Sequence, residues 1–472
     1  MPSEPSNGRP LSSLRWSTIR YRFRESLFQL PALIVVLGVV LAEVSARIDE
    51  RWGTLTDTPF TLTINSNAAT WLLSTIAGAM ITTAGVVFSL TVVSLQLASS
   101  QFSPRVMRSF IRDRLSQLVI GLLVSSFAFC VLALRHVNGE PSAPAPSVTL
   151  TVAVVLAVST VLLIIAHLNH LANRLQVGEV LRAIADEGHR TIDEVVRSHE
   201  RERPGDDDAL IPTDSKDVLV VPAARGGWVT QASSREMLAA VPPGTIVRVD
   251  TRTGAFIHEG EPLVTVSPRP EQAEKVAAVL TSSISVDDTR TMQQDVDFAL
   301  RQLVDVGLRA LSPAVNDPNT AVEVVLRVGS LLRRILIADP PLRSVAGEDD
   351  RVLIRPWILD REEYLGRGLD QLRQATGDQT QVLAALMRVV RMLRSHVQEH
   401  GADDLVPALD RHLQRLVDAV EGAALHPDDK DRLLAISDDE TDPADHDRPA
   451  GSSRRRQVAA HPSGPVRHAG RG

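Results

Sequence analysis

The chain has 472 residues, 44% hydrophobic and 23% charged, with a formal net charge of −7, a length that accommodates two or three domains with sizeable cores. Its single cysteine, Cys130, excludes an intrachain disulfide framework and any thiolate metal cluster within one chain. Lysine is confined to Lys216, Lys275 and Lys430, so Schiff-base chemistry has few places to occur, while the abundant arginine suits phosphate and carboxylate recognition.

The averages hide a division, because nearly all long apolar runs precede Ala172 and the charged residues concentrate after it. Residues 1–26 form a basic arm with Arg15, Arg20, Arg22 and Arg24. The apolar stretch that follows, "LPALIVVLGVVLAEVSARIDE", shows no small-residue cleavage site and is succeeded by three more apolar segments, so it reads as a retained transmembrane helix rather than an export signal. A hydrocarbon core of about 30 Å needs roughly 20 mostly apolar residues in a helix. Four stretches meet that, about 27–46, 69–98, 115–134 and 148–171, which predicts a four-helix transmembrane domain over 27–171. The second is longer than needed and should tilt or extend beyond the bilayer. The arm and the second connection (Arg105, Arg108, Arg112, Arg114) carry the arginines, the third connection only one, and the first has Arg47 and Arg51 among acids. The positive-inside rule then places both termini in the cytoplasm.

Glu43 lies near the outer end of the first segment, where it reads as an interfacial residue, with an ion-site role as the alternative. In the second segment Thr75, Thr82, Ser89 and Gln96 recur every seven residues with Gly78 and Gly85 beside them, giving one small and polar stripe along a helix. Such a stripe either packs closely against another helix or lines a water-filled path. Next, "SPRVMRSFIRDR" offers Ser103 as a cap, Pro104 at the first helical position, and an apolar face of Val106, Met107, Phe110 and Ile111. Arg105, Arg108 and Arg112 are then candidate contacts to lipid phosphates at the inner surface. His167 and His170 share a face at the end of the fourth segment, but nothing nearby in sequence supplies a clear third metal ligand.

Residues 172–203 carry apolar positions at helical spacing and predict a cytoplasmic stalk. The β-branched runs "KDVLVVPA", "GGWVTQA", "TIVRVDT" and "PLVTVSP", separated by Gly and Pro, predict a small β-barrel-like module over 217–268. From 287 to 436 the apolar stripes are helical again and predict a bundle. The fold class is therefore mainly α, with a cytoplasmic α+β part. In the bundle, Asp297, Arg301, Asp305 and Arg309 alternate at i, i+4 spacing, the pattern of a solvated helix face. Their helix runs into "ALSPAVNDPNTA", where Asn316 and Asp317 should sit at the next helix N-terminus. These six residues form a candidate cytoplasmic polar site, with a plain structural turn as the alternative. Residues 437–472, acidic and then rich in Pro, Gly and Arg, should be disordered.

There is no Walker loop, GxSxG elbow, HExxH or dinucleotide glycine fingerprint. No enzyme activity, cofactor, catalytic residue or bound metal is expected, and no compact basic and aromatic surface points to nucleic acid.

Four segments, "TTAGVVFSLTVVSLQLASSQFSPR", "GWVTQAS", "GAFIHEGEPL" and "TMQQDVDFALRQLVDVGLRALSPAVNDPNTA", together resemble the bacterial integral membrane proteins of domain of unknown function family 2254. That resemblance implies a multi-pass protein of the bacterial cytoplasmic (inner) membrane with a cytoplasmic C-terminal portion, and it brings no activity or catalytic residues. "GAFIHEGEPLVTV" also resembles the turn of lipoyl-like and secretion-adaptor barrel modules, but no lysine lies in 217–268 to carry a cofactor. The expected partner is the lipid bilayer and, because four helices rarely enclose a path, a homo-oligomer. The function expected first is channel-like or transport-related with a cytoplasmic regulatory domain. The alternative is a non-transporting scaffold or sensor that binds a partner or small ligand through that domain.

Overall fold

The computed structural model describes residues 29–52, 62, 64–101, 114–137, 145–174, 176–206 and 217–438. The basic arm, the candidate lipid contacts Arg105, Arg108 and Arg112, and the tail beyond residue 438 lie outside the described residues.

Four helices are long and apolar enough to cross a membrane: α1 (Gln29–Trp52), α2 (Ser66–Gln101), α3 (Arg114–Ala133) and α4 (Ser147–Arg174). A helix satisfies every backbone polar group within its own segment, as hydrocarbon requires. Half of the most apolar window of α3 is buried, against 17 to 22% in the other three, so α3 is the hub on which α1, α2 and α4 pack. Small residues permit the approach: the position a Cβ would take at Gly121 is 3.0 Å from the Pro31 Cα of α1. Polar side chains lock the contacts. Ser126 and Thr160 hydrogen-bond at 3.2 Å between α3 and α4. At the end of α1, Asp49 accepts hydrogen bonds from the backbone N–H groups of Val148 and Thr149 at 3.0 and 2.9 Å, and from the Thr149 hydroxyl at 2.7 Å. It thereby caps α4 from a hundred residues away.

Beyond Gln176 comes α5 (Val177–His199), amphipathic as its sequence predicts, with Val180, Leu181, Ile184 and Ile192 buried. Then come β1 (Arg203–Pro204), β2 (Leu219–Pro222), β3 (Gly227–Ala232), α6 (Ser234–Ala240), β4 (Ile246–Val249), β5 (Phe256–Ile257), β6 (Pro262–Ser267), α7 (Ala273–Ser282) and β7 (Ile284–Asp287). The remainder is α8 (Val296–Ala310), α9 (Pro318–Ile335), β8 (Ser344–Ala346), β9 (Val352–Ile354), α10 (Arg361–Ala375), α11 (Thr380–Glu399), α12 (Val406–Gly422) and α13 (Pro427–Asp438).

The strands do not close into a barrel, which corrects the barrel-like expectation. They split into an open six-stranded sheet, ordered β1-β8-β9-β4-β6-β2, and a three-stranded sheet, β5-β3-β7. β3 leaves its sequence neighbours for the smaller sheet, so β2 remains an edge. In the larger sheet only β4 and β9 are parallel, with Val247 opposite Leu353; the same residue faces Val266 of antiparallel β6. β8 and β9 lie inside the region 287–436 that reads as purely helical. They are runs of three residues, too short for alternation to be seen in sequence.

Two cores result. One gathers Leu181 and Ile184 of α5 with Leu300, Leu303, Val324, Leu331, Leu386 and Leu393 of the helices. The other holds Val229, Val247, Leu263, Val264 and Leu353 of the sheets. α5 lies against α8 and α9, so the segment leaving the membrane is itself part of the helical core.

Candidate functional site

The helical and sheet parts meet at the start of α8. Asp295 is its N-cap and accepts the Phe298 N–H at 3.2 Å. An acid here satisfies a free backbone donor and complements the helix dipole. The same carboxylate, 3% exposed, takes two hydrogen bonds from Arg290, from Nε at 2.6 Å and Nη2 at 3.1 Å. Arg290 Nη2 also reaches Asp297 at 2.7 Å, and Arg367 of α10 reaches Asp297 from the other side at 3.2 Å. The Arg290 guanidinium lies 5.4 Å from the Trp228 ring centre and 5.2 Å from that of Phe298, within cation–π range of both. Burial alone would lower the Arg290 pKa, but the hydrogen bonds and charge of Asp295, and then of Asp297, outweigh it and hold the guanidinium firmly charged.

A cavity of about 610 Å³ opens in front of this cluster. Four arginines bound it, Arg252, Arg290, Arg301 and Arg367, together with Trp228 and Phe256 of the smaller sheet. Arg301 is held by Gln371 of α10 at 3.1 Å and by Asp305 at 3.4 Å. Arg252 differs from the other three. It donates to the Thr253 carbonyl at 3.1 Å, and among the described residues no carboxylate lies within ion-pair distance of it. Its pKa is lowered, first by burial and then by the charge of Arg367, with Asp297 and Asp295 opposing. A half-buried guanidinium without a carboxylate within ion-pair distance keeps spare N–H donors, which suit a planar or tetrahedral oxyanion. The loop carrying it turns at Gly254, whose φ is +81°. A Cβ there would lie 2.6 Å from the Asp295 Cγ, so glycine is required both for the left-handed backbone and for the close approach.

Behind Arg252 lies a second cavity of about 850 Å³, where Arg355 engages Glu202 through both Nη atoms, at 2.6 and 3.2 Å, and His199 at 3.3 Å. Burial, then Arg355, holds the His199 pKa down. Tyr364 lines this cavity, its phenol pushed up by burial and then by Asp295 and Asp297. It is a neutral donor at physiological pH.

The residues singled out by sequence divide accordingly. Asp297 is 4% exposed and paired with two arginines, which corrects the solvated-face reading of the ladder for that residue. The reason is that α8 and α10 run side by side, so Asp297 meets Arg367 and Arg301 meets Gln371 one turn later. Arg309 is exposed towards the far end of α8. Asn316 and Asp317 lie beyond that end, about 20 Å from Asp297 at 1.5 Å per helical residue, so the six candidates do not converge. Asp317 caps α9, accepting the Thr320 N–H at 3.1 Å and its hydroxyl at 2.6 Å, bonds that lower its pKa. Asn316, at φ 48°, accepts from Gln379 at 3.1 Å.

In the membrane part Thr75, Thr82, Ser89 and Gln96 all face outward from the four helices. Thr75 and Thr82 bond their own helix carbonyls four residues back. Among the described residues nothing would lie within 4 Å of a Cβ at Gly78 or Gly85, so the stripe does not pack against the other three described helices. Glu43 is exposed and pairs with Arg47 at 3.1 Å. His167 is buried and His170 half-buried.

His396, Glu399 and His400 form a group whose ligand atoms lie within 4.8 Å of one another, at a spacing the sequence reading passed over. Arg333 Nε stands 3.3 Å from His396 Nδ1, which leaves the ring proton on Nε2 and places a cation beside the group. The set therefore fits a metal poorly. Arg252, Arg290, Arg367, Trp228 and Phe256 were also missed by sequence, being spread over four separate segments. The local signals were Gly254 and the capping acid Asp295.

Residues 24–392 match the family described as "Predicted membrane protein (DUF2254)". An uncharacterized protein of Mycobacterium bovis and another of Mycobacterium tuberculosis strain H37Rv are each 30% identical over 384 residues, covering 77% of this chain and 71% of theirs. No solved structure matches.

Proposed function

The chain belongs to the DUF2254 family of predicted membrane proteins, and we propose that it is a membrane-anchored receptor whose soluble part binds a small anionic ligand among Arg252, Arg290, Arg301 and Arg367. In this reading it resides in the bacterial inner membrane with both termini in the cytoplasm, and it acts by binding, without catalysis of its own. The observation that carries it is Arg252, a half-buried guanidinium at a cavity mouth with no carboxylate partner among the described residues. Its spare N–H donors are matched by the geometry of a phosphate or carboxylate. Titration calorimetry of the full chain in detergent with inorganic phosphate, sulfate and citrate tests it. Binding of one of them that Arg252→Ala weakens at least tenfold, with unchanged thermal stability, supports the receptor; no binding by the wild type rejects it.

The outward stripe on α2 favours a second reading, a channel-like homo-oligomer in which Thr75, Thr82, Ser89 and Gln96 face a shared axis. Polar groups at membrane depth belong against protein or water, and among the described residues Thr75 and Thr82 bond their own helix carbonyls while all four side chains are exposed. Ion flux into liposomes carrying the wild type and the Thr82→Val, Ser89→Ala double variant separates the two readings. Flux altered by the variant at equal incorporation supports the channel; no flux under any voltage or osmotic gradient leaves the receptor.

A further inference from the structure

We infer that the anion bound at this cavity is an aromatic phosphate of mononucleotide size, its phosphate held by Arg252 and Arg367 and its ring laid against Phe256. The inference rests on the receptor reading and adds the class of ligand.

Size points beyond a simple anion. The cavity of about 610 Å³ falls within the roughly 300–1,000 Å³ typical of sites for drug-sized ligands, and a lone phosphate would fill a small part of it. Two groups dominate the walls, with the carboxylates Asp288 and Asp297 also in the lining. One is cationic, built by Arg252, Arg301 and Arg367 around the paired Arg290. The other is aromatic, built by Trp228 and Phe256, whose ring centres stand 5.4 Å apart at an interplanar angle of 83°.

Phe256 carries the aromatic half of the argument. It is 49% exposed although it lies in a strand whose other residue, Ile257, is buried in the sheet core. Alternation along a strand explains why its side chain points away from that core, but the outward position would ordinarily be polar. Trp228 meets Phe256 edge to face on one side, and His258 stands 5.2 Å away on another. These contacts fix the orientation of the ring while leaving its exposed area at the cavity wall. A ring so held is a stacking platform, and stacking discriminates little among bases because every base presents a π-face.

Arg252 carries the phosphate half. Carboxylates already occupy Arg290 on two edges, and Arg301 is held by Gln371 and Asp305. Arg252 retains most of its donors, and Arg367, 39% exposed, contributes one nitrogen to Asp297. A tetrahedral dianion can receive both guanidinium groups at once, and it relieves the repulsion between them.

The test is titration calorimetry of the full chain in detergent with inorganic phosphate, adenosine, and the four ribonucleoside 5′-monophosphates, for wild type, Phe256→Ala, Phe256→Tyr and Arg252→Ala. The expected result is that at least one monophosphate binds about tenfold or more tightly than phosphate, and that adenosine binds weakly. Phe256→Ala should erase that margin without changing phosphate affinity, and Phe256→Tyr should keep it. Thermal melting confirms that each variant folds. Equal affinity for phosphate and all four monophosphates, with Arg252→Ala still weakening both, overturns the aromatic class while the receptor reading stands. A margin that survives Phe256→Ala overturns the stacking assignment. No binding of any probe by the folded wild type overturns both.

Discussion

The Thr191 hydroxyl of α5 donates to the Met292 carbonyl at 3.0 Å while also reaching its own Glu187 carbonyl at 3.0 Å. Thr191 and Met292 are 5% and 6% exposed. One end of this bond belongs to the helix that follows the fourth membrane span; the other lies between Arg290 and Asp295, the pair that shapes the cavity. The helix that follows the fourth span is thus bonded to the segment that carries the Arg290–Asp295 pair.

Removing that donor should strand the Met292 carbonyl in a dry environment, at a cost of about 1–3 kcal/mol. We expect Thr191→Val to lower the denaturation midpoint of the full chain accordingly and Thr191→Ser to keep most of the stability. If Val and Ser variants melt alike, the bond contributes nothing and α5 is held by apolar packing alone.

Gly254→Ala should act on the cavity. The backbone at φ +81° disfavours a side chain, and the new methyl would crowd the Asp295 carboxylate, so the Arg290–Asp295 pair must shift. We expect a destabilisation of about 1–3 kcal/mol together with loss of phosphate binding. Gly260→Ala is the control, because φ is also positive there, at +85°, but nothing lies within 4 Å of the added atom. It should be destabilised without losing the ligand.

Much of this arrangement was legible in the sequence where a single segment carried the signal. The four apolar helices, the amphipathic α5 and the Asp317 cap all follow from composition or periodicity within one continuous segment of chain. The site was legible only in fragments. Asp297 and Arg301 sit at a spacing that suits a solvated face, and only the neighbouring α10 turns Asp297 into a buried partner of Arg367. Trp228, Arg252, Phe256, Arg290 and Arg367 reach one cavity through contacts between segments, which no local pattern encodes. β8 and β9 were illegible for the same reason: three-residue strands have meaning only through the partners they pair with.

Asp49 offers a test inside the membrane part. Its bonds from the Val148 and Thr149 N–H groups satisfy two of the first backbone donors of α4, and the Thr149 hydroxyl adds a third bond. Asp49→Ala should cost about 0.5–2 kcal/mol, read as a lower aggregation temperature in detergent, and Asp49→Asn should recover part of it. An Ala variant as stable as wild type would show that water caps α4 equally well.

Acid should weaken the soluble part. His189, His199, His396 and His412 all have pKa values held below the ordinary 6.5, in each case by burial first. Nearby guanidinium groups add to it, Arg334 for His189, Arg355 for His199 and Arg333 for His396. Below pH 6.5 the unfolded chain therefore binds protons that the folded chain refuses, so stability falls as the pH drops through 6.5 towards the folded values and is level above it. A melting temperature lower at pH 5.5 than at 7.5 is expected, with a shallower dependence in His412→Gln. A flat profile across that range would contradict the burial of these rings.

Two glycines in the membrane helices should respond oppositely, and the contrast bears on what covers α2. At Gly121 of α3 a methyl would meet backbone, the Pro31 Cα at 3.0 Å, and the Ile34 side chain at 2.9 Å. Backbone cannot yield as a flexible side chain can, so Gly121→Ala should separate α1 from α3 at a cost of about 1–3 kcal/mol. At Gly78 of α2 the same methyl meets nothing within 4 Å, and helix propensity alone favours Ala by up to about 1 kcal/mol. Within a single chain Gly78→Ala should therefore be neutral or stabilising. Melting both variants in detergent at two protein concentrations decides the matter. If Gly78→Ala destabilises as Gly121→Ala does, and the loss grows with protein concentration, the face bearing Thr75, Thr82 and Ser89 is covered by a second copy packed closely enough to require glycine. If Gly78→Ala is harmless at both concentrations, lipid covers that face and the shared-axis reading of the stripe loses its support.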